Sequence, residues 1–291
     1  MCLTCGCADD EGVRVSTLDA PALVRHGQRG AAAGHPHAHD HPHDHDHDHD
    51  HDHAHGHGHD HDHPAPDGGQ GGASRIVKTE KLVLEEQILA KNDHLAAQNR
   101  SWLLERDIPT VNLMSSPGSG KTSLLERTIA ELGGGREICV IEGDQETLLD
   151  AERIRDAGAR AVQINTGAGC HLDAPMVQQA LEALEPSPGA LLFIENVGNL
   201  VCPALFDVGE RAKVVVISVT EGEDKPLKYP HMFAAADLVI VNKTDLLPYV
   251  DFDLDKLTGY ARSLKPGLEI IALSVRSGDN MGRWYEWLTC M

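Results

Sequence analysis

No apolar run in the 291 residues approaches the ~20 that a membrane-spanning helix needs. The first residues also lack the apolar segment of a secretion signal. Basic charge is short: 25 Lys and Arg stand against 45 Asp and Glu, a formal net charge of −20 with His neutral. That balance argues against nonspecific nucleic-acid binding and suits a chain that attracts metal cations. Cysteine is sparse and odd in number, seven residues in clustered positions, which argues against a disulfide frame and for reduced thiols and metal ligation. A cytoplasmic protein with no membrane and no nucleic-acid partner is expected. Residues 1–74 hold too little apolar content for a core, so one domain is expected over residues 75–291.

What the N-terminal part does contain is metal-ligand chemistry. Residues 1–10 carry Cys2, Cys5 and Cys7, with Gly6 allowing a tight fold between thiols. A C-x-x-C pair alone serves redox motifs and zinc half-sites equally. The third thiol, and the lack of a βαβ pattern around it, favour a three-thiolate clamp for Ni²⁺, Zn²⁺ or Cu⁺. Residues 11–34 show weak periodicity and read as a linker. Residues 35–63 then place an imidazole at every odd position: His35, His37, His39, His41, His43, His45, His47, His49, His51, His53, His55, His57, His59, His61 and His63. Eight Asp interleave with them between Asp40 and Asp62. Such a tract packs no core. Its composition is that of a disordered metal store, and its Asp spacers and the thiols ahead of it set it apart from an expression tag. Residues 64–74, PAPDGGQGGAS, read as a flexible linker.

Over residues 79–104 the pattern turns helical. Leu82, Leu89, Ala96 and Leu103 recur every seven residues, with Leu84, Ile88, Leu95 and Trp102 beside them, as expected of a helix packed on the following domain. Residues 110–122, TVNLMSSPGSGKT, then run from an apolar strand through a Gly/Ser/Pro loop into a helical pattern. This is the form of a phosphate-binding loop. Backbone N–H groups of Gly118, Ser119, Gly120, Lys121, Thr122 and Ser123 face the phosphates, Lys121 reaches the β/γ oxygens, and the Thr122 hydroxyl ligates Mg²⁺. The general pattern opens with Gly where this chain has Ser115.

Downstream, strands at 137–143, 160–165, 190–194, 214–219, 238–241 and 269–273 alternate with helices through 157 and at 176–184, 254–264 and 279–288. That alternation predicts a P-loop α/β fold, a mainly parallel doubly wound sheet with ligand groups on loops at the strand carboxyl ends. After the strand at 238–241 come Asn242, Lys243, Thr244 and Asp245, the N-K-x-D guanine-recognition signature. The Asp carboxylate accepts from guanine N1–H and the 2-amino group, donors that adenine lacks. Ser274 matches the weaker element that supports the base. Glu195-Asn196-Val197-Gly198 follows the D/E-x-x-G pattern of a switch, with Glu195 holding Mg²⁺ and Gly198 turning toward the γ-phosphate. Asp144 ends the strand at 137–143 and is read either as a Mg²⁺ or water-holding acid or as a helix N-cap. Gln145 is a candidate water positioner without further support. Cys170, His171 and Cys202 sit on loops at strand carboxyl ends and make an incomplete metal set, whereas Cys139 and Cys290 read as core residues.

With P-loop SSPGSGKTS, switch segments EGDQ and ENVGNLVCP, base motif NKTD, the Cys170-His171 pair and the N-terminal CxxCGC, the chain resembles the HypB family of hydrogenase nickel-incorporation GTPases. The resemblance covers residues 75–291 and 1–7, and Ser115 is no departure within that family. It implies a SIMIBI-class GTPase that dimerises with GTP, works with the accessory protein HypA and delivers Ni²⁺ to the hydrogenase large-subunit precursor. It further implies a tight nickel site at Cys2, Cys5 and Cys7 with the amino terminus, and a Ni²⁺ or Zn²⁺ site at Cys170, His171 and Cys202. Lys121, Asp144 and Glu195 would carry hydrolysis, and Leu246 with Val250 a dimer contact. Two other readings are a urease accessory GTPase, which would show a different Cys/His motif and no CxxCGC, and a nickel store, which would need no nucleotide site.

Overall fold

The apolar, β-branched runs lie side by side because the central ones are buried on both faces and must satisfy their backbone hydrogen bonds laterally. In the computed structural model, which describes residues 14–18, 71–144 and 149–291, they form one eight-stranded sheet. In chain order the strands are β1 (Arg14–Leu18), β2 (Thr110–Ser115), β3 (Ile138–Asp144), β4 (Arg160–Asn165), β5 (Leu191–Gly198), β6 (Ala212–Ser218), β7 (Leu238–Asn242) and β8 (Glu269–Ala272). Across the sheet the order is β1-β4-β3-β5-β2-β6-β7-β8, parallel throughout except for the β1–β4 edge pair.

The helices are α1 (Gly71–Glu105), α2 (Lys121–Leu132), α3 (Leu149–Asp156), α4 (Ala174–Leu184), the short α5 (Lys225–Lys228) and α6 (Pro230–Ala235), α7 (Leu254–Leu264) and α8 (Met281–Thr289). Alternate strand residues go to opposite faces. Val214 and Val216 join Leu124, Leu125, Ile154 and Trp284 from α2, α3 and α8. Val215 and Ile217 join Met232, Phe233 and Leu257 from α6 and α7, and Ile141, Leu192 and Ile194 pack against Leu103, Val177 and Leu181 from α1 and α4. The Trp284 indole, fully buried, finds its hydrogen-bond partner in Thr128 Oγ1 at 2.9 Å. The chain divides into two units, residues 1–22 with 80–291 and residues 23–79, the second described only over the opening turns of α1.

Several boundaries differ from the sequence reading. Within the expected linker 11–34, Arg14–Leu18 form β1, antiparallel to β4. Five residues carry too little period to announce a strand, and the open edge of β4 supplies the partner. α1 begins at Gly71, inside the expected linker 64–74, because extending a formed helix costs little even through poor helix formers. β5 continues through Gly198, so the switch motif is strand rather than loop. Cys290 is exposed at the end of α8, while Cys139 is buried in β3 and burial pushes its thiol up to about 12. Among the described residues no helix is long and apolar enough to cross a membrane. Cys2, Cys5, Cys7, the tract 35–63 and Gln145 lie outside the described residues.

Candidate functional site

β2 stands between β5 and β6, where the winding of the chain reverses and the flanking loops open a crevice. The loop from β2 to α2 needs glycine at two points. Gly118 (φ 75°) and Gly120 (φ 98°) are left-handed, and a Cβ on Gly120 would meet Asn242 Nδ2 at 2.5 Å. Ser115 is not idle where the general pattern has Gly, since its Oγ accepts from Lys121 Nζ at 2.7 Å. A cleft of about 550 Å³ opens over Gly118, Ser119, Gly120, Lys121, Thr122 and Ser123 at the start of α2, bordered by Asp144, Glu195 and Gly198. Aligned N–H groups at a helix start favour anionic phosphate there. Gly198 packs against Pro117, where a Cβ would find Pro117 Cγ at 3.2 Å.

Two buried acids sit side by side on neighbouring strands, and the first of them borders this cleft. Glu195, 4 % exposed, accepts from Thr122 Oγ1 at 2.8 Å. Glu142 on β3 is its register partner. Each keeps one buried carboxylate oxygen without a hydrogen-bond partner among the described residues. Burial raises both, against the opposing pull of Lys121, and Glu142, beside Glu195 and Asp144, is pushed up to about 9. A hydroxyl, two orphaned acid oxygens and Asp144 at the rim suit an oxygen-ligated divalent cation such as Mg²⁺. Asp144 ends β3 on the rim of the cleft, and the residues that follow it, up to Leu149, lie outside the described residues. Sequence reasoning passed over Glu142, whose sole signal is an acid within the run ICVIEG. It also missed Arg153, which lines the cleft while bound to Glu126, Asp150 and Ser123; no spacing marks it.

The base motif closes the far side. Asn242 Nδ2 donates to the Ser119 carbonyl at 2.9 Å, and its Oδ1 accepts from Lys243 N and Val275 N, tying the P-loop to the loop after β8. Lys243, itself left-handed at φ 62°, donates to the Gly118 carbonyl. Asp245 accepts from the buried Ser274 hydroxyl at 2.6 Å and borders a second cavity of about 410 Å³ with Val275 and Arg276. Leu246 and Val250 are half-buried against their own core, with Tyr249 between them 83 % exposed.

On the β3–β5 side, Cys170, His171 and Cys202 bring their ligand atoms within 4.8 Å of one another. Cys170 Sγ lies 3.7 Å from His171 Nδ1. Burial lowers the imidazole pKa although Asp173 opposes it, which favours the neutral, ligating form. The ring stacks on Phe206, centroids 4.0 Å apart. Two thiols and an imidazole leave one tetrahedral position open. This cluster is wired to the switch strand. Asn196 accepts from Leu172 N at 3.1 Å and donates to Asn112, and Asn199 Nδ2 donates to the Cys170 carbonyl.

Loop, switch acid and base motif on this sheet define a SIMIBI-class P-loop GTPase. Residues 109–272 match the CobW/HypB/UreG nucleotide-binding domain. Hydrogenase maturation factor HypB of Azotobacter vinelandii is 58 % identical over 224 residues, 76 % of this chain and 74 % of that protein. HypB of Archaeoglobus fulgidus superposes with a TM-score of 0.65 at 42 % identity, over 69 % of this chain and 98 % of that one. HypB of Helicobacter pylori, solved in complex with nickel, gives 0.65 at 39 % identity, over 68 % and 94 %. The chain belongs to the HypB family of hydrogenase maturation factors.

Proposed function

We propose that this chain is a GTP-hydrolysing nickel metallochaperone that stores Ni²⁺ and hands it to the [NiFe]-hydrogenase large subunit during maturation. The observation that carries the reading is β5. The same strand presents Glu195 to the phosphate cleft and, through Asn196 and through Asn199 one residue past its end, contacts the Cys170–His171 loop, with Cys202 just beyond. The likeness to the nickel-bound Helicobacter pylori protein supports the choice of metal.

Backbone N–H groups of residues 118–123 hold the β/γ-phosphates, and Lys121 leaves Ser115 to neutralise charge that develops between them. Thr122, Glu195 and Asp144 would hold Mg²⁺, which supplies Lewis-acid stabilisation of the phosphoryl oxygens. Asp245, fixed by Ser274, reads guanine, and Asn242 and Lys243 keep the base pocket joined to the P-loop. Cys170, His171 and Cys202 take Ni²⁺ or Zn²⁺ as cargo with an open position for a partner's ligand. Cys2, Cys5 and Cys7 form the tighter nickel site, and the tract 35–63 is the store. A GTP-dependent homodimer, HypA and the large-subunit precursor are the proposed partners, in the cytoplasm. The test measures GTP turnover and Ni²⁺ release together, with and without HypA. Release that follows turnover is expected; release at the same rate with GDP would leave only a storage protein.

A further inference from the structure

Two asparagines on α1 occupy the buried stripe where the helical period calls for apolar residues. Asn92 and Asn99, two turns apart, are 4 % and 3 % exposed, with the fully buried Ala96 between them. Asn92 accepts from the Ala174 N–H at 2.9 Å and donates to the Asp207 carbonyl at 2.7 Å. Asn99 donates to the Ala174 carbonyl at 2.9 Å and to the Val208 carbonyl at 3.1 Å. Each side chain therefore spans the same two segments. One segment begins three residues after His171. The other lies five residues after Cys202 and directly follows Phe206, whose ring stacks on His171.

The attachment is tight as well as polar. Arg100 Nη2 donates to both Asp207 carboxylate oxygens at 2.6 Å. A Cβ on Gly209 would sit 2.6 Å from Asn99 Cβ and 2.9 Å from the Ala96 carbonyl oxygen. A helix that only covered the sheet would satisfy stray backbone groups one at a time. It would have no reason to bridge one pair of segments twice.

We infer that α1 is a brace for the metal cluster, with Asn92 and Asn99 as positioning residues that set the Cys170–His171 loop against the Cys202 segment. The inference rests on the cluster's being a metal site, as proposed above. Ligand distances at a metal tolerate about ±0.2 Å, so a shift of either segment larger than that on loss of a bridge would weaken binding. Groups that orient ligands typically govern affinity by about 10–100-fold. As Asn99 touches no ligand directly, ~10-fold is expected for Asn99→Ala.

The experiment keeps the full chain and replaces Cys2, Cys5 and Cys7 by Ser. Thiolate-to-cobalt charge transfer then reports the loop thiols, since the His tract has no sulfur and any signal from the exposed Cys290 survives in the control below and is subtracted. Co²⁺ is titrated into this parent, into a Cys170→Ser, Cys202→Ser control that should lose the absorption, and into Asn99→Ala and Asn92→Ala. The asparagine variants should need about tenfold more Co²⁺ and show altered ligand-field bands, while GDP affinity is unchanged. Asn99→Ser, which keeps a hydroxyl donor, should recover part of the loss. Identical titrations and bands in both alanine variants would overturn the brace and leave the metal site standing. Absence of charge transfer from the parent itself would overturn both. If an alanine variant loses GDP binding, the milder Asn92→Ser carries the same measurement, with a smaller but still resolvable weakening expected and no weakening counting against the brace.

Discussion

At the scale of single residues, the proposed guanine selectivity would rest on one carboxylate. Asp245 is held by the Ser274 hydroxyl at 2.6 Å, which leaves its other oxygen for a base. Two charge-assisted hydrogen bonds to guanine, at about 1.5–3 kcal/mol each, give a discrimination of roughly 10²-fold or more. Asp245→Asn should lose about that much GTP affinity and gain xanthine nucleotides, whose 2-oxo group accepts from an amide. Competition by GTP and XTP against a labelled guanine nucleotide measures it. An unchanged preference would remove Asp245 from base recognition.

Glu142 makes a different residue-scale prediction. Its carboxyl titrates near 4.5 ordinarily and at about 9 in the fold, because burial and then Glu195 and Asp144 disfavour its charge. Between those values the folded chain holds a proton that the unfolded chain has lost, so stability must fall as pH rises through the window. Glu142→Gln, neutral throughout, should flatten that fall in metal-free buffer. At the alkaline end it should melt higher, by about 2–4 °C for each kcal/mol recovered in a domain of this size. Thermal melts across the window decide it, and parallel slopes for parent and variant would place the titration elsewhere.

At the scale of elements, β5 matters most because it is longer than its apolar run suggests. It carries Glu195 and Gly198 in strand geometry, and between them Asn196 takes the Leu172 N–H just after His171. A strand that moves with the γ-phosphate would therefore drag the metal loop. Coupling of this kind is typically worth about 5–150-fold in affinity and must be reciprocal. In the full chain bearing Ser at positions 2, 5 and 7, Ni²⁺ affinity should differ by such a factor between GDP and a GTP analogue. Asn196→Ala should bring the ratio close to one. A ratio retained in that variant would route the coupling through Asn199 or the Cys202 turn instead.

At the scale of the whole molecule, the proposed storage and turnover would occupy separate stretches of chain. Residues 35–63 bring fifteen imidazoles and eight carboxylates into one stretch of sequence, and the cleft is built wholly from residues after Pro109. Deleting 35–63 should lower Ni²⁺ stoichiometry by several equivalents and leave GTP hydrolysis as it was. Equilibrium dialysis and phosphate release measure the two separately, and a fall in hydrolysis would tie the tract to the catalytic cycle.

By itself the sequence determined what is local. A phosphate loop, an N-K-x-D turn and an alternation of strands and helices are each written in adjacent residues, since a few consecutive φ/ψ values and side chains build them. Tertiary structure alone decided which distant residues meet. Register in a parallel sheet puts Glu142 opposite Glu195, and crossovers bring Cys170, His171 and Cys202 to within 4.8 Å. The edge of β4 recruits residues 14–18 as a strand. Asn92 and Asn99 show the reason most plainly. Periodicity assigns a face but not the groups waiting opposite it, and a polar side chain is stable in a buried stripe wherever unpaired backbone N–H and C=O groups lie across from it.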